Sequence, residues 1–248
     1  MKKTLIVIPA RYASTRFPGK PLALLGGKPI VQWVWERVQG LGDAVIATDD
    51  GRIVDVAEQQ MDANVMMTSA DCQSGTDRCG EVLRRCGEGY EVVVNVQGDE
   101  PFVEADQVQT LVKAFDDPAV QIATLRTGIR TTEELFSPNN VKVVCADNGN
   151  ALYFSRQPLP YRRGVAEDQW FAEGDYYKHV GIYAYRAEVL ERLCQLPVGM
   201  LEASEKLEQL RWLAAGYTIR VLDTDHANIG IDTPDDLAEA EQILNRKK

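Results

Sequence analysis

Residues 5–21 read Leu-Ile-Val-Ile-Pro-Ala-Arg-Tyr-Ala-Ser-Thr-Arg-Phe-Pro-Gly-Lys-Pro, an apolar run followed by a loop of small, hydroxyl-bearing and basic residues. The apolar start is typical of a parallel strand that is buried on both faces. Similar runs follow at 44–47 (Ala-Val-Ile-Ala) and 92–96 (Val-Val-Val-Asn-Val). The loop after the first strand would then lie at the carboxyl edge of the sheet, where α/β proteins bind their ligands.

Helical patterns separate these runs. Pro29 opens a segment with apolar residues at helical spacing, and Gly40 and Gly42 mark its end. A second helical pattern follows Asp49 and Asp50. The order βαβαβ predicts an α/β fold built on a doubly wound, mostly parallel sheet.

The second half of the chain is less regular. We expect strands at 122–125, 141–144, 180–183 and 218–222, a helix over 202–215, and a last helix that begins near Thr233 and Pro234. No linker divides the chain, so residues 1–248 are predicted to form a single domain. Residues 157–178, rich in aromatics, proline and glycine, are expected to form an inserted loop or small lobe.

Composition excludes several classes of protein. The net charge of −10 argues against a nucleic-acid partner, and no apolar run approaches the roughly 20 residues that a membrane helix needs. The first apolar run is too short for a signal peptide, so we expect a cytoplasmic protein. Five cysteines, with no Cys-x-x-Cys pair, suggest neither a disulfide framework nor a zinc site.

The basic loop is a candidate anion site. Its cations Arg11, Arg16 and Lys20 are accompanied by no acidic residue, and arginine, lysine and backbone N–H groups can together surround a triphosphate. The dinucleotide pattern GxGxxG and the P-loop pattern GxxxxGK[ST] are absent from the sequence. Charge alone favours an ordinary solvated basic surface.

Two acidic residues are candidate metal ligands. Asp99 follows the third strand in Gln97-Gly98-Asp99, and Asp232 directly precedes the last helix. Magnesium prefers one or two carboxylates together with phosphate oxygens. The pattern alone favours a turn residue at Asp99 and a plain helix-capping residue at Asp232.

At the basic loop the sequence resembles the 3-deoxy-manno-octulosonate (Kdo) cytidylyltransferases, the CMP-Kdo synthetases. Six further blocks match that family in order: 74–78 (Ser-Gly-Thr-Asp-Arg), 95–101 (Asn-Val-Gln-Gly-Asp-Glu-Pro), 151–156 (Ala-Leu-Tyr-Phe-Ser-Arg), 179–183 (His-Val-Gly-Ile-Tyr), 207–211 (Leu-Glu-Gln-Leu-Arg) and 232–234 (Asp-Thr-Pro). The resemblance covers nearly the whole chain. Asp77 departs from it, since many members have glutamate there.

The resemblance implies a fold of the nucleotide-diphospho-sugar transferase type and a Mg²⁺-dependent reaction. The anomeric hydroxyl of Kdo would attack the α-phosphorus of CTP, giving CMP-Kdo for lipopolysaccharide synthesis and pyrophosphate. It also implies a homodimer, for which the segments 120–136 and 157–178 could provide an apolar face.

The resemblance assigns roles residue by residue. The catalytic residues would be Arg11, Lys20, Asp99 and Asp232, and the two aspartates would bind the metal. The nucleotide-binding residues would be Pro9, Ala10, Arg11, Ser14, Thr15, Arg16, Lys20, Ser74, Gly75, Thr76, Gln97 and Gly98. The sugar-binding residues would be Arg78, Gln97, Arg156, His179, Tyr183, Glu208 and Gln209.

The sequence leaves open which acidic sugar is the substrate and whether the chain is an enzyme or a sensor. The acidic sugar could be 8-amino-Kdo, which would require almost the same motifs, or a sialic acid, for which the loop fits less well. From a different class, the chain could be a sensor that binds CTP without turnover, although Lys20, Asp99 and Asp232 are all present.

Overall fold

The fold is taken from a computed structural model that describes residues 2–13, 16–226 and 230–246. Its strands are β1 (Thr4–Pro9), β2 (Leu24–Leu25), β3 (Lys28–Pro29), β4 (Asp43–Thr48), β5 (Val65–Met67), β6 (Val92–Asn95), β7 (Ile122–Gly128), β8 (Lys142–Cys145), β9 (Ala151–Ser155), β10 (Tyr177–Arg186) and β11 (Ile219–Asp223). Its helices are α1 (Ile30–Val38), α2 (Gly51–Met61), α3 (Gly75–Cys86), α4 (Ala105–Ala114), α5 (Thr132–Phe136), α6 (Trp170–Glu173), α7 (Ala187–Leu193), α8 (Met200–Glu205), α9 (Gln209–Ala214) and α10 (Pro234–Arg246).

The central sheet has the strand order β11-β7-β10-β6-β1-β4-β5. Strand β1 is parallel to both β4 and β6, β4 is parallel to β5, and β11 is parallel to β7. Strand β10 is antiparallel to both β6 and β7. The α/β class and the mostly parallel central sheet predicted from the sequence are confirmed.

Both faces of the sheet are buried, as the continuous apolar runs predict. Ile6 and Ile8 pack on one side with α1 and α4, whereas Leu5 and Val7 pack on the other side with α3 and α7. Successive residues of a strand point to opposite faces, so a strand covered by helices on both sides needs apolar residues at every position. The first strand is therefore held rigidly, and the loop that follows it starts from a fixed point.

The helix expected over 202–215 is two helices. Helix α8 ends at Glu205, Lys206 has a left-handed backbone (φ 54°), and α9 begins at Gln209. The leucines on which the expectation rested, Leu207, Leu210 and Leu213, all follow Lys206, so their spacing did not test whether the helix continued before it. The break directs Glu208 toward Thr76, whose hydroxyl donates to its carboxylate at 2.8 Å.

The two segments expected to be insertions contact one another. Helix α5 and helix α6 pack through a small apolar cluster of Ile129, Leu135, Trp170 and Tyr176. Seven residues of the segment 120–136 belong to β7 (Ile122–Gly128), however, and so to the central sheet. Within that segment, it is α5 and the turn before it that pack against residues 157–178.

Among the described residues, no helix combines the length and the apolar character needed to cross a membrane.

Candidate functional site

Lys20 is brought to the carboxyl edge of the sheet by a tight turn after β1. Gly19 has a φ of 74°, and a Cβ there would lie 3.0 Å from the ring of Tyr12. Glycine suits this position because a left-handed backbone is costly for residues with a side chain. The turn buries Lys20, which is 8% exposed, and directs its ammonium group into the edge of the sheet.

The Lys20 ammonium group contacts two carboxylates that are far apart in sequence. Its Nζ donates to Asp99 Oδ2 and, at 3.0 Å, to Asp232 Oδ1. Arg16 Nη2 lies 3.0 Å from the other oxygen of Asp232. Two cations and two anions therefore form one compact cluster, the lysine–carboxylate centre (Arg16, Lys20, Asp99 and Asp232).

The backbone holds Asp99 and Asp232 together. The N–H of Ile231 donates to the Asp99 carbonyl at 3.0 Å, and the N–H of Gly98 donates to the Pro9 carbonyl at 3.2 Å. A Cβ at Gly98 would lie 2.7 Å from that Pro9 oxygen. Glycine thus permits the loop after β6 to approach the loop after β1.

Asp232 does not cap the last helix with its side chain. Thr233 Oγ1 accepts from the N–H of Asp236 at 3.2 Å, and Asp236 Oδ2 accepts from the N–H of Thr233 at 2.8 Å. This reciprocal pair is a capping box. Asp236 Oδ2 also accepts from the N–H of Asp232, so the carboxylate of Asp232 is left to face Lys20 and Arg16.

The pKa values agree with an ionised centre. Burial alone would lower the pKa of Lys20, but the carboxylates of Asp99 and Asp232 outweigh it and raise that pKa above its usual value. Burial would raise the pKa of Asp232, but Lys20 and Arg16 lower it below its usual range. The lysine is therefore a cation, and Asp232 an anion, at neutral pH.

A pocket of about 320 Å³ lies on one side of the centre. Among the residues predicted to bind the nucleotide, its lining includes Pro9, Ala10, Arg11, Arg16, Lys20, Gly75, Gln97 and Gly98. Asp99 also lines it. Ser14 and Thr15, two other predicted nucleotide residues, lie outside the described residues.

The N-terminus of α3 opens into this pocket at Gly75. Ser74 caps the helix, accepting from the N–H of Asp77 at 3.1 Å, while Asp77 accepts from the N–H of Ser74 at 3.0 Å. Asp77 is therefore a capping residue, a role that a short carboxylate can fill. Unpaired N–H groups at a helix start favour an anionic ligand.

A larger cleft of about 740 Å³ also borders the centre. Its lining includes Arg16 and Asp232 of the centre and two of the predicted sugar residues, Arg156 and His179. Four residues that were not predicted from the sequence also line the cleft: Asn139, Asn140, Lys178 and Glu100. Asparagines after a proline resemble an ordinary turn, so the pattern gave no sign of a ligand there.

The residues predicted to bind the sugar differ in how deeply they are buried. His179 lines the cleft, its Nε2 lies 2.9 Å from the Thr124 hydroxyl, and burial lowers its pKa to about 3, which keeps the imidazole neutral. Tyr183 lies beneath it, with ring centroids 5.2 Å apart. Tyr183 and Gln209 are buried, and a quarter of the Glu208 side chain is exposed. Burial raises the pKa of Glu208.

Two other predicted residues are enclosed. Thr76, expected to bind the nucleotide, is 2% exposed and donates to Glu208. Arg78, expected to bind the sugar, is fully buried: its Nη1 donates to Thr68 Oγ1 and its Nη2 to Asp49 Oδ2 at 2.9 Å. Arg78 thus links α3 to the ends of β4 and β5. Its expected contact with the sugar would require a rearrangement and stays a prediction. The sequence could not reveal its partner, because Asp49 lies 29 positions away.

The pair of aspartates fits a magnesium ion. Mg²⁺ typically takes one or two protein carboxylates and completes its shell with water and phosphate oxygens. Within the described ranges, no group of three or more His, Cys, Asp and Glu side chains is arranged to hold a metal. A metal at Asp99 and Asp232 would accordingly need oxygens from a bound ligand, and the adjoining pocket has room for one.

Comparisons with known proteins find that the chain is similar to cytidylyltransferases. A family model described as "Cytidylyltransferase" matches residues 5–219. The chain is 51% identical to the 3-deoxy-manno-octulosonate cytidylyltransferase of Phocaeicola vulgatus, with 99% of each chain covered. It is 47% identical to the protein of the same name from Geobacter sulfurreducens, with 98% of each covered. A solved structure titled as a CMP:2-keto-3-deoxy-manno-octonic acid synthetase complexed with CTP matches with a TM-score of 0.90, 42% identity and complete coverage of both chains.

Because Arg78 is buried and paired, we expect its replacement to lower the stability of the fold. Replacing it in Arg78→Met leaves Asp49 without its partner, which we expect to cost about 3 kcal/mol of the free energy of unfolding. Arg84→Met, an exposed position on the same helix, is the control and should change that free energy by less than about 0.5 kcal/mol. Urea unfolding measures both, and equal stability of the two variants would contradict the structural role.

Proposed function

The chain belongs to the 3-deoxy-manno-octulosonate cytidylyltransferase family, and on that premise we propose that the lysine–carboxylate centre serves the transfer of CMP from CTP to the anomeric hydroxyl of Kdo. The products are CMP-Kdo and pyrophosphate. The reaction is a nucleotidyl transfer that needs no covalent enzyme intermediate, so alignment and charge stabilisation must supply the rate.

This proposal rests on the position of the centre, which borders both the pocket and the cleft. The smaller pocket and the larger cleft meet at it: Lys20 and Asp99 line the first, Asp232 lines the second, and Arg16 lines both. A nucleotide in the pocket and a sugar in the cleft would bring their reacting atoms together at this shared wall. An arrangement of two substrates about one charged centre is what an in-line displacement requires.

We assign the smaller pocket to CTP. Its cations Arg11, Arg16 and Lys20 are placed to neutralise phosphate oxygens and the charge of the leaving pyrophosphate. The start of α3 at Gly75 adds backbone N–H groups, and Gly98 allows the nucleotide to approach the main chain closely. Ser74 contributes by capping that helix, and Thr76 by orienting Glu208.

We assign the larger cleft to the acidic sugar. Arg156 offers a planar guanidinium suited to a carboxylate, and His179, kept neutral by burial, offers a hydrogen-bonding partner to a hydroxyl. Gln97, Tyr183, Glu208 and Gln209 stay in the proposed sugar set on the strength of the motifs. Tyr183 and Gln209 could reach the sugar only after a rearrangement, since both are buried here.

Asp99 and Asp232 are the residues that would hold Mg²⁺. Bound there, the ion would supply Lewis-acid polarisation of a phosphate oxygen and a lower pKa for the sugar hydroxyl. The role of the chain is to hold both carboxylates beside one ammonium group, and Lys20 and Arg16 lower the pKa of Asp232. The reaction would take place in the cytoplasm and supply lipopolysaccharide synthesis.

A homodimer is also proposed. Phe136 and Tyr161 are exposed and flank Trp170, with ring centroids 6.0 and 5.0 Å from that of the tryptophan. Exposed aromatics that border a small apolar cluster are typical of a subunit contact. This patch joins α5 to the segment 157–178, the regions from which the resemblance implied a dimer.

The first prediction from this proposal concerns the carboxylates. Asp232→Asn keeps the shape of the side chain but removes its charge, so we expect turnover to fall about a hundredfold or more. Asp99→Asn should act alike, and the double variant should be little worse than either, because both residues serve one centre. The melting temperature of Asp232→Asn should stay close to that of the wild type, because Thr233 and Asp236 cap the helix.

Pyrophosphate release and thermal unfolding, measured on the same preparations, check this prediction. Asp223→Asn, which neutralises an exposed carboxylate on β11 that pairs with Arg126, is the control and should retain full turnover. Near-normal turnover in Asp232→Asn would remove that residue from the mechanism.

A second prediction concerns the substrates. We expect CTP and Kdo to release pyrophosphate, UTP and ATP to be poor donors, and no release without a sugar. Parallel assays with 8-amino-Kdo and a sialic acid identify the natural acceptor. Release with UTP or ATP equal to that with CTP contradicts the nucleotide assignment, and CTP binding without release in any assay indicates a sensor.

A third prediction concerns assembly. Light scattering at micromolar concentration should give twice the chain mass of 27.6 kDa. Tyr161→Glu places a charge in the aromatic patch and should shift the protein toward the monomer. A wild-type protein with the mass of one chain refutes the dimer, and a dimeric Tyr161→Glu variant would mean that the contact lies elsewhere.

A further inference from the structure

Lys142 is a buried cation outside the centre already described. It is the first residue of β8, and its side chain is fully buried. A lysine in the otherwise apolar run Val141-Lys142-Val143-Val144 has a considerable desolvation cost. The fold therefore has to supply partners for its ammonium group.

Those partners are backbone carbonyls of the segment just before the strand. Lys142 Nζ donates to the carbonyl of Ser137 at 2.8 Å and to that of Asn140 at 2.6 Å. Both ends of the segment 137–140 are thus held by one side chain. Burial lowers the pKa of Lys142 to about 8, with Glu205 opposing the shift and Arg156 adding to it, so most of the lysine stays charged at pH 7.

The segment held by Lys142 forms a wall of the larger cleft. Asn139, Asn140 and Val141 all line that cleft. The segment has no regular secondary structure of its own. Its shape consequently depends on local bonds, among them the contact of Asn140 Nδ2 with the Glu134 carbonyl at 3.1 Å.

The same segment orients Arg156. Arg156 Nη1 donates to the Pro138 carbonyl at 2.8 Å, and its Nε donates to the Glu205 carbonyl at 2.7 Å. These two bonds fix the plane of the guanidinium group at the edge of the cleft. Recognition of a carboxylate by arginine depends on that plane, and the plane depends on where Pro138 is held.

We propose that Lys142 is a positioning residue for the acidic sugar: by binding the carbonyls of Ser137 and Asn140 it fixes the cleft wall and, through Pro138, the guanidinium of Arg156. It touches neither substrate. This inference rests on the assignment of the larger cleft to the sugar. It implies that loss of the ammonium group harms sugar binding specifically, since the nucleotide pocket is lined by other segments.

The test is Lys142→Met, which keeps the length and apolar stem of the side chain but removes its donors. We expect the KM for Kdo to rise about tenfold or more, with the KM for CTP within about twofold of the wild-type value. Lys142→Gln retains an N–H donor and should show a smaller rise. Lys2→Met, which removes a partly buried lysine paired with Asp116, is the control and should change neither KM.

The possible results distinguish a failure of this inference from a failure of the proposed function. Equal changes in both KM values, or no change in either, overturn the positioning role of Lys142. A wild-type enzyme that releases no pyrophosphate with CTP and Kdo contradicts the proposed function instead, whatever the variants do. If both Lys142 variants fail to fold, hydrogen exchange on the wild type decides: slow exchange at the Asn140 amide without sugar supports a preformed wall, and rapid exchange overturns it.

Discussion

The ion-pair cluster of Lys20 with Asp99 and Asp232 is the interaction on which the site depends. It joins the loop after β1, the loop after β6 and the start of α10, which are distant in sequence. Two carboxylates that contact the same ammonium group would repel one another without it. The buried ammonium group of Lys20 contacts both and offsets that repulsion, at the position where we propose that a metal and a triphosphate bind.

The fold makes this cluster possible because it fixes the starting point of each loop. Strands β1 and β6 are adjacent, parallel and buried on both faces, so their carboxyl ends leave the sheet together. Gly98 then permits a close backbone approach to Pro9 that a side chain would block, and Gly19 adopts the left-handed backbone of the turn before Lys20. The capping box of Thr233 and Asp236 sets the start of α10 independently, and Asp232 is thereby free to face the centre.

The pocket that we propose for the nucleotide and the cleft that we propose for the sugar are built differently. The nucleotide pocket is formed largely by backbone, small residues and cations from the carboxyl edge of the sheet. The sugar cleft is walled by an irregular segment that is held in place by a buried lysine and by Arg156. An acidic sugar with many hydroxyls needs several oriented side chains, and each of these must in turn be held by a neighbour.

The sequence by itself determined the α/β class, the parallel core and the family, because the apolar runs and the motifs are local and continuous. Only the tertiary structure decided which side chains and backbone groups contact one another. It placed Arg78 in a buried pair with Asp49, divided the helix expected over 202–215 at Lys206, and gave the helix cap to Thr233 and Asp236. Charge pairing and burial act through space between distant positions, and a pattern along the chain does not contain those distances.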